Sequence, residues 1–388
     1  MHCLKTRAQV VTLLISYCGL AGSARAQTWS APEFVTNGSE AVALATNGQG
    51  ASAILYWLNG PGLLGTVGKN GVWSAPVTLS TATSVGNVAV APNGDVLAVW
   101  SFHTNNTTTP IETQAAFYSG GHWGNTITVT TNGSATGSSS LAHLVGLGFD
   151  GNSNATLVWE QLTGAGSCAL VAVTGNSSSG FGAQQTLGHT CLGWVQLAVT
   201  SNGQTLAVQG GATLEVAPVI ATSRGSNGVW SASIDVANPY YGRQRPWVGL
   251  GNNGTAVVVW RARTFGEYAV RENGVWTSPA ELPQGTGSTY PEVAVDGSGN
   301  AVAAYLGKVS YRPAGGTFRT PITLGSGEVV ASPAGTFVVS GTAVATLLPG
   351  STTWNQNGPS SGLVAIGPGE EAIAVVNPAI SVATESVP

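Results

Sequence analysis

The chain has 388 residues, of which 8% are charged and 43% are hydrophobic, and its formal net charge is −4. Its 54 glycines and 19 prolines exclude long amphipathic helices, because such helices need a charged face and few glycines. The apolar content excludes a disordered chain, since disordered segments are poor in hydrophobic residues and highly charged.

The N-terminal segment has the pattern of a secretory signal peptide. Basic residues precede an apolar run, and Ala24-Arg25-Ala26 matches a small-x-small cleavage site. We predict a signal peptide over residues 1–26 and cleavage before Gln27, which makes the mature protein secreted or periplasmic. A lipoprotein signal at Cys18 is the alternative, but Tyr17 stands where that signal usually needs Gly or Ala.

The mature chain, residues 27–388, is predicted to be a single domain with an acidic charge balance. Cleavage removes three basic residues and no acid, which leaves 10 Lys and Arg against 17 Asp and Glu, a net charge of −7. This balance disfavours nucleic acid as a partner through a basic surface. No apolar run after residue 26 approaches the roughly 18 residues of a membrane-spanning helix, so we expect no transmembrane span in the mature chain.

Two cysteines remain after cleavage, Cys168 and Cys191. We predict that they form a disulfide, because exported proteins meet an oxidising compartment, and closing this loop contributes about 3 kcal/mol in the chain-entropy model. Zinc is the alternative, since His189 lies beside Cys191, but no CxxC or HxxxH spacing accompanies it. We therefore expect no metal site.

An internal repeat runs through the mature chain. Its first half is an alternating apolar run, a turn rich in Gly, Asn and Asp, and a second apolar run that often ends in an aromatic residue. Each copy predicts a β-hairpin, because residues with strand propensity flank a turn that tolerates positive φ. The eight copies begin at Ala41, Asn87, Leu144, Val195, Trp247, Glu292, Glu328 and Leu363.

The second half of the repeat is a Gly-containing turn followed by an aromatic residue and a short strand. The aromatic residues of the eight copies are Trp29, Trp73, Trp123, Phe181, Trp230, Trp276, Phe318 and Trp354. The hairpin supplies strands A and B, a further run supplies C, and the aromatic-led strand supplies D, which is the content of a propeller blade. We predict an all-β fold, a β-propeller of four-stranded antiparallel blades with eight blades, or seven because the last two units are short.

The two ends of the mature chain complement each other. The chain begins with an isolated D element, Thr28–Thr36, and ends with A, B and C elements that lack a D strand. Pairing the two ends would complete one blade and leave no open sheet edge at the seam. We therefore predict a ring that is closed by the N-terminal strand.

These elements resemble those of secreted bacterial β-propeller repeat proteins, over residues 28–386. The carriers are the turn-aromatic element, as in Asn70-Gly71-Val72-Trp73-Ser74-Ala75-Pro76, and the Gly-bearing A–B hairpins. The resemblance implies a lectin-like or sialidase-like propeller architecture and no specific family. The sialidase sequence Ser-x-Asp-x-Gly-x-Thr-Trp is not present, since the corresponding turns read NGVW, GGHW or GGTF and hold no aspartate.

In propellers that this chain resembles, ligands bind near the central channel on the face formed by the D–A and B–C connections. The B–C candidates are His103, Glu160, Arg261, Arg263 and Lys308, and the D–A candidates are His143, His189, Tyr240, Tyr241, Arg243, Arg245, Trp247 and Tyr290. From these we select nine ligand-binding residues: Arg243, Arg245, Arg261, Arg263, Tyr240, Tyr241, Trp247, Glu160 and His103.

Basic residues are concentrated in one part of the chain, because eight of the ten mature Lys and Arg residues lie within residues 243–319. Arginine binds carboxylates in a bidentate manner and stacks on aromatic rings, so the cluster indicates a carboxylated sugar or another anion as ligand. Ion pairs with acids of the same region, Glu267, Glu272, Glu281 and Glu292, are the interpretation that we favour, because surface ion pairs are common and need no ligand.

The tryptophans that end strand B, such as Trp100, Trp159 and Trp260, are candidates for sugar-stacking platforms. Their recurrence from blade to blade instead predicts inter-blade core, since packing is required in every blade.

A catalytic set is hard to assemble from this sequence. Asp95 and Asp296 fall in A–B turns, on the face opposite the candidates, and Glu160 is the one acid placed in a B–C loop. No GxSxG, HExxH or phosphate-binding glycine loop occurs in a suitable setting, so we expect no cofactor and assign no catalytic residue.

The leading hypothesis is an exported, non-enzymatic binding or surface-interaction propeller with a glycan or cell-surface ligand. The second hypothesis is a glycan-active hydrolase or lyase with its site on the channel face.

Overall fold

A computed structural model describes residues 29–30, 33–36, 40–57, 62–82, 85–103, 111–133, 145–164, 167–188, 192–211, 216–241, 244–287, 290–325, 327–361, 363–376 and 380–386. The predicted signal peptide, residues 1–26, lies outside them. The described residues form antiparallel strands joined by turns, and they contain no helix. It follows that no helix able to cross a membrane is found in these segments.

The strands form eight blades around a central channel, as the repeat predicts, and not seven. The first strand of the chain is β1 (Glu33–Thr36). Blade 1 contains β2 (Glu40–Thr46), β3 (Ala51–Trp57), β4 (Leu63–Lys69), β5 (Val72–Trp73) and β6 (Val77–Ser80). Blade 2 contains β7 (Val85–Val90), β8 (Val96–His103), β9 (Ile111–Ser119), β10 (His122–Trp123) and β11 (Ile127–Gly133). Blade 3 contains β12 (Val145–Phe149), β13 (Ala155–Gly164), β14 (Ser167–Asn176), β15 (Gly180–Phe181) and β16 (Gln185–Gly188).

The later blades have fewer and shorter outer strands. Blade 4 contains β17 (Gly193–Val199), β18 (Thr205–Gly211), β19 (Val216–Arg224) and β20 (Ile234–Tyr241). Blade 5 contains β21 (Trp247–Leu250), β22 (Ala256–Ala262), β23 (Phe265–Glu272), β24 (Val275–Trp276) and β25 (Ala280–Thr286). Blade 6 contains β26 (Glu292–Val295), β27 (Ala301–Tyr305), β28 (Lys308–Arg312) and β29 (Ile322–Thr323), and blade 7 contains β30 (Val329–Ala331), β31 (Phe337–Val339) and β32 (Ala345–Leu347). Blade 8 contains β33 (Leu363–Ile366), β34 (Glu371–Val376) and β35 (Ile380–Ser386) and is completed by β1.

The predicted A–B hairpins are present in every blade, and blade 5 shows their geometry. Strands β21 and β22 pair from Trp247 opposite Val259 to Leu250 opposite Ala256. Gly254 closes the turn with a φ of 84°, and its N–H donates to the carbonyl oxygen of Gly251 at 2.9 Å. A side chain at this left-handed position would be strained, which explains why glycine recurs in these turns.

The innermost strands contact one another in chain order from β2 to β33, and β33 contacts β2. The spaces between blades are filled by apolar side chains. Among the described residues, eight hydrophobic clusters each join two neighbouring blades. Each cluster includes or packs against the D-element aromatic residue of one of its two blades, such as Trp123 between blades 1 and 2 and Trp73 between blades 8 and 1.

The tryptophans at the ends of strand B lie in the same clusters. Trp100, Trp159 and Trp260 have at most 1% of their surface exposed. Nε1 of Trp260 donates to Oε2 of Glu267 at 3.0 Å, which satisfies the buried indole N–H. These three side chains are therefore inter-blade core and not sugar platforms.

The N-terminal strand closes the ring, as predicted. Strand β1 pairs antiparallel with β35, with Glu33 opposite Val382 and Phe34 opposite Ser381. The N–H of Ser30 donates to the carbonyl oxygen of Thr384 at 2.9 Å, and the indole of Trp29 packs into the cluster between blades 7 and 8. Blade 8 is thus built from both ends of the chain.

Of the two cysteines of the predicted disulfide, Cys168 is among the described residues. Cys168 is 3% exposed in β14, where it lies opposite Leu162 of β13. Cys191 lies outside the described residues, in the connection from blade 3 to blade 4. The bond between them stays a prediction, and it would join two neighbouring blades.

Deletion of residues 27–36 should lower the melting temperature sharply, because it removes β1 and leaves the edge of β35 unpaired. Thermal denaturation followed by circular dichroism measures this effect. Replacement of the 75% exposed Val72 by Ser is a control that should leave the midpoint within about 2 °C. An unchanged midpoint in the deletion variant would show that the ring does not depend on its N-terminal strand.

A thiol assay tests the disulfide directly. The mature protein, unfolded in denaturant without reductant, should give no reaction with a thiol reagent, because Cys168 and Cys191 are its two cysteines. After reduction it should give two equivalents. Two reactive thiols before reduction would contradict the predicted bond.

Candidate functional site

Antiparallel blades place the A–B and C–D turns at one end of the ring and the B–C and D–A connections at the other. The described candidates at the second end are concentrated between blades 4, 5 and 6. Arg245 lies in the connection into blade 5, Arg261 lies in β22, and Arg263 lies in the following B–C turn. With Trp194 of β17 and Tyr290, which precedes β26, these three side chains form what we call the arginine cluster.

Arg245 lies between two aromatic rings. Its guanidinium carbon is 4.9 Å from the ring centroid of Trp194 and 4.5 Å from that of Tyr290. Trp194 is 3% exposed and its Nε1 donates to the carbonyl oxygen of Pro246 at 3.0 Å, so its ring is held in place. These distances are typical of cation–π contacts, which fix the guanidinium without neutralising its charge.

Arg261 contacts the same tyrosine. Its guanidinium carbon is 5.4 Å from the Tyr290 ring centroid, and its Nη1 donates to the Tyr290 hydroxyl at 3.4 Å. Its Nε donates to the carbonyl oxygen of Arg263 at 3.0 Å, and its N–H donates to the carbonyl oxygen of Gln244 at 3.0 Å. Tyr290 therefore contacts two cationic side chains, Arg245 from the connection into blade 5 and Arg261 from strand β22.

Two arginines of the cluster have left-handed backbone conformations. The φ angle is 41° at Arg245 and 56° at Arg263. This conformation costs a non-glycine residue about 1 kcal/mol or more, and such residues are frequent at binding sites. The Gly211 carbonyl oxygen holds the first of these turns by accepting the N–H of Gln244 at 2.9 Å.

The arginine cluster is not neutralised by acids of the described chain. Within the described segments, the ion pair that meets a 4.0 Å criterion joins Arg312 to Glu272, and it does not involve Arg245, Arg261 or Arg263. Ion pairing with acids of the same region, the other interpretation of the basic residues, is thus observed for Arg312. Arg245, Arg261 and Arg263 have no such carboxylate partner among the described residues.

The remaining ligand-binding candidates from the sequence do not belong to the arginine cluster as the structure describes it. Tyr240 and Tyr241 are the last residues of β20, and His103 is the last residue of β8, but their side chains are outside the description. Arg243 also lies outside the described residues. Trp247 begins β21 and packs against the core between blades 5 and 6, and the rings that contact Arg245 are those of Trp194 and Tyr290.

Glu160, expected in a B–C loop, lies inside β13 and is 2% exposed. Its Oε1 accepts the N–H of Leu192 at 2.9 Å and the amide of Gln209 at 2.8 Å, and its Oε2 accepts the N–H of Gly193 at 2.9 Å. Burial raises the pKa of Glu160 to about 7, although these hydrogen bonds oppose the rise. The carboxyl group thus joins blade 3 to blade 4.

Two further acids occupy a similar position between later blades. Glu292 accepts the N–H of Val329 across the gap from blade 6 to blade 7, and Glu328 accepts the N–H of Val364 at 3.2 Å across the next gap. Burial raises the pKa of Glu292 to about 7, and burial together with repulsion from Glu292 raises the pKa of Glu328 to about 8. The sequence marked Glu292 only as a partner for arginine, because backbone acceptors cannot be recognised from composition.

The opposite end of the ring contains a central cavity of about 230 Å³. Residues of the A–B hairpins from all eight blades line it, including Asn47, Asp150 and Pro333. Both Asp150 carboxylate oxygens are used inside its own turn, where they accept hydrogen bonds from Asn152 and Asn154. Among the described residues, no three or more His, Cys, Asp or Glu side chains converge on a common point.

No model of a known protein family matches the chain, and no curated protein matches it in sequence. Solved structures share its fold. The fucose-specific lectin from Aleuria aurantia is 14% identical with a TM-score of 0.41, covering 76% of this chain and 98% of the lectin. A polysaccharide lyase is 8% identical with a TM-score of 0.46 over 89% of each chain, and a Hadza microbial sialidase is 10% identical with a TM-score of 0.39 over 83% of this chain and 73% of its own. These similarities concern the β-propeller fold and assign no activity.

The buried acids should make stability depend on pH. The pKa of Glu328 is about 8 in the folded protein against an ordinary 4.5, so the folded state binds more protons between these values and loses stability as pH rises through them. Glu328→Gln removes this titration, and its melting temperature should fall less than that of the wild type between pH 5 and pH 8. Glu281→Gln, on an exposed position of β25, is the matched control. Equal pH slopes for wild type and Glu328→Gln would contradict the assignment.

Proposed function

We propose that this protein is an exported carbohydrate-binding propeller that holds an acidic sugar at the arginine cluster. The observation that carries the proposal is the position of Arg245, which lies between the Trp194 and Tyr290 rings and has no carboxylate partner among the described residues. A guanidinium fixed in this way presents a planar fork of donors in one orientation. Such a fork matches the two oxygens of a carboxylate.

The neighbouring groups suit the rest of a sugar. Arg261 is half-buried and adds a second cation beside Tyr290, while Arg263 is exposed at the rim. Tyr290 offers a hydroxyl for a ligand's polar groups, and amphipathic aromatic side chains of this kind suit the mixed surface of a pyranose. The cluster therefore combines charge recognition with a partly apolar contact surface.

Binding is favoured over catalysis because of how the acids are used. Catalysis of glycoside cleavage needs two carboxyl groups that face the sugar. Glu160, Glu292 and Glu328 instead accept backbone N–H groups between blades. Of the alternative, a glycan-active hydrolase or lyase, the hydrolase would require one of these acids to leave its backbone partner or other acids to supply the pair.

Export is part of the proposal and is supported by the sequence alone. The basic and apolar N-terminal segment and the Ala24-Arg25-Ala26 site have the pattern of a cleaved leader. A carbohydrate or another cell-surface ligand is the partner that an exported binding protein would meet. The mature net charge of −7 makes a polyanion such as nucleic acid a poor ligand.

Glycan-array screening of the mature protein tests the proposal. We expect retention of carboxylated glycans such as uronic or sialic acids, with affinity that falls as salt rises because exposed charges are screened. Arg261→Ala should weaken binding about tenfold or more, since it removes a charge-assisted hydrogen bond. Arg245→Lys keeps the charge but loses the planar fork, and it should also weaken binding.

Arg224→Ala is the matched control, because Arg224 ends strand C of blade 4 on the opposite face and donates from its Nε to the carbonyl oxygen of Gly228. It should bind acidic glycans as the wild type does. The proposal is wrong if the array shows no acidic glycan, or if folded Arg261→Ala and Arg245→Lys variants retain wild-type affinity.

A further inference from the structure

A second groove lies between blades 6 and 7, on the outer part of the ring and away from the arginine cluster. Two cavities of about 200 and 120 Å³ meet there, and Tyr311, Leu347 and Ser351 line both. These residues form walls that the two neighbouring cavities share, and we call the two cavities together the groove. Asp296 lies at its inner end and Arg319 at its outer end.

The groove exists because the outer strands are short at this point of the ring. Strand β29 has two residues, and the segment that follows β32 pairs with blade 7 through isolated bridges, Thr346 with Asn355 and Gly341 with Ser361. In blade 2 the corresponding outer strand, β11, has seven residues. Where the outer strands are short, the space between the blades stays open to solvent and side chains of both blades line it.

The outer end of the groove carries aromatic and cationic groups. The guanidinium carbon of Arg319 lies 5.4 Å from the ring centroid of Tyr311, and the half-buried Trp354 lines the same cavity. Arg319 is exposed, and no carboxylate of the described chain lies within 4.0 Å of its guanidinium nitrogens. The hydroxyl-bearing residues Thr320 and Thr352 complete this end.

The inner end has the opposite charge. Asp296 is 2% exposed, and its oxygens accept the N–H groups of Ser298 and Asn300 and the Asn300 side-chain amide. Its carboxylate holds the A–B turn of blade 6 and stays in place when the groove is filled. A ligand in the groove therefore meets negative charge at one end and positive charge at the other.

We infer that this groove is a binding site for a neutral sugar residue. A ligand with a net negative charge is disfavoured at the Asp296 end and one with a net positive charge at the Arg319 end, so the two ends together favour a ligand without net charge. A neutral pyranose has an apolar face for Trp354 and hydroxyls that accept from Arg319 and exchange hydrogen bonds with Thr320 and Thr352. The site is independent of the proposed function, because it uses none of the residues of the arginine cluster.

Saturation-transfer NMR with the methyl glycosides of glucose, galactose, mannose and fucose as probes tests the inference. At least one of these should receive saturation from the wild-type protein. Arg319→Ala should raise its dissociation constant about tenfold, because a charge-assisted hydrogen bond is lost. Thr352→Tyr changes an exposed rim position and should block the groove without altering the core.

Two controls separate this site from the arginine cluster. Lys69→Ala removes an exposed cation from blade 1, and Arg261→Ala removes a cation of the cluster, and both should leave methyl glycoside binding unchanged. Circular dichroism establishes that each variant is folded. The inference is overturned if no methyl glycoside binds the wild type, or if folded Arg319→Ala and Thr352→Tyr variants bind as the wild type does. Loss of binding in Arg261→Ala would also overturn it, because the neutral sugar would then occupy the cluster.

Discussion

The fold depends on burying both faces of every blade. In β22 the consecutive residues Val257, Val258, Val259 and Trp260 are fully buried, with alternate side chains in the clusters on either side of blade 5. A sheet with two apolar faces is stable only when another sheet covers each face. Eight such sheets satisfy this condition together when the ring closes, so the pairing of β1 with β35 supports every other interface.

Carboxyl groups between neighbouring blades accept backbone N–H groups of the next blade. The innermost strands of neighbouring blades lie side by side without a hydrogen-bonded ladder, which leaves backbone N–H groups such as those of Gly193 and Val364 without a strand partner. Glu160 and Glu328 accept these N–H groups. Burial favours the protonated form of each acid, so these contacts between blades depend on pH.

Both inferred sites arise where the repeat is broken. Most blades are built from apolar and small polar residues, and the repeated positions serve packing. At the arginine cluster, the connection into blade 5 introduces a left-handed Arg245 between two aromatic rings. Between blades 6 and 7, short outer strands leave the groove that Arg319 and Trp354 line. Both proposed sites lie at these irregular positions, because positions that are the same in all eight blades give no single blade a ligand preference of its own.

The sequence by itself determined the hairpins, the inter-blade aromatic residues and the closure by the N-terminal strand, and it left eight or seven blades. These features follow from local periodicity and turn chemistry, which repeat eight times and reinforce one another. Only the tertiary structure brings together the residues of the proposed arginine cluster. Trp194, Arg245 and Tyr290 belong to three successive blades, and their contact depends on how the blades pack around the axis. Glu160 was expected in a loop and is instead a buried strand residue, because the pairing of β13 with β14 extends past it to Gly164 opposite Ser167. The partner strand sets such a strand length.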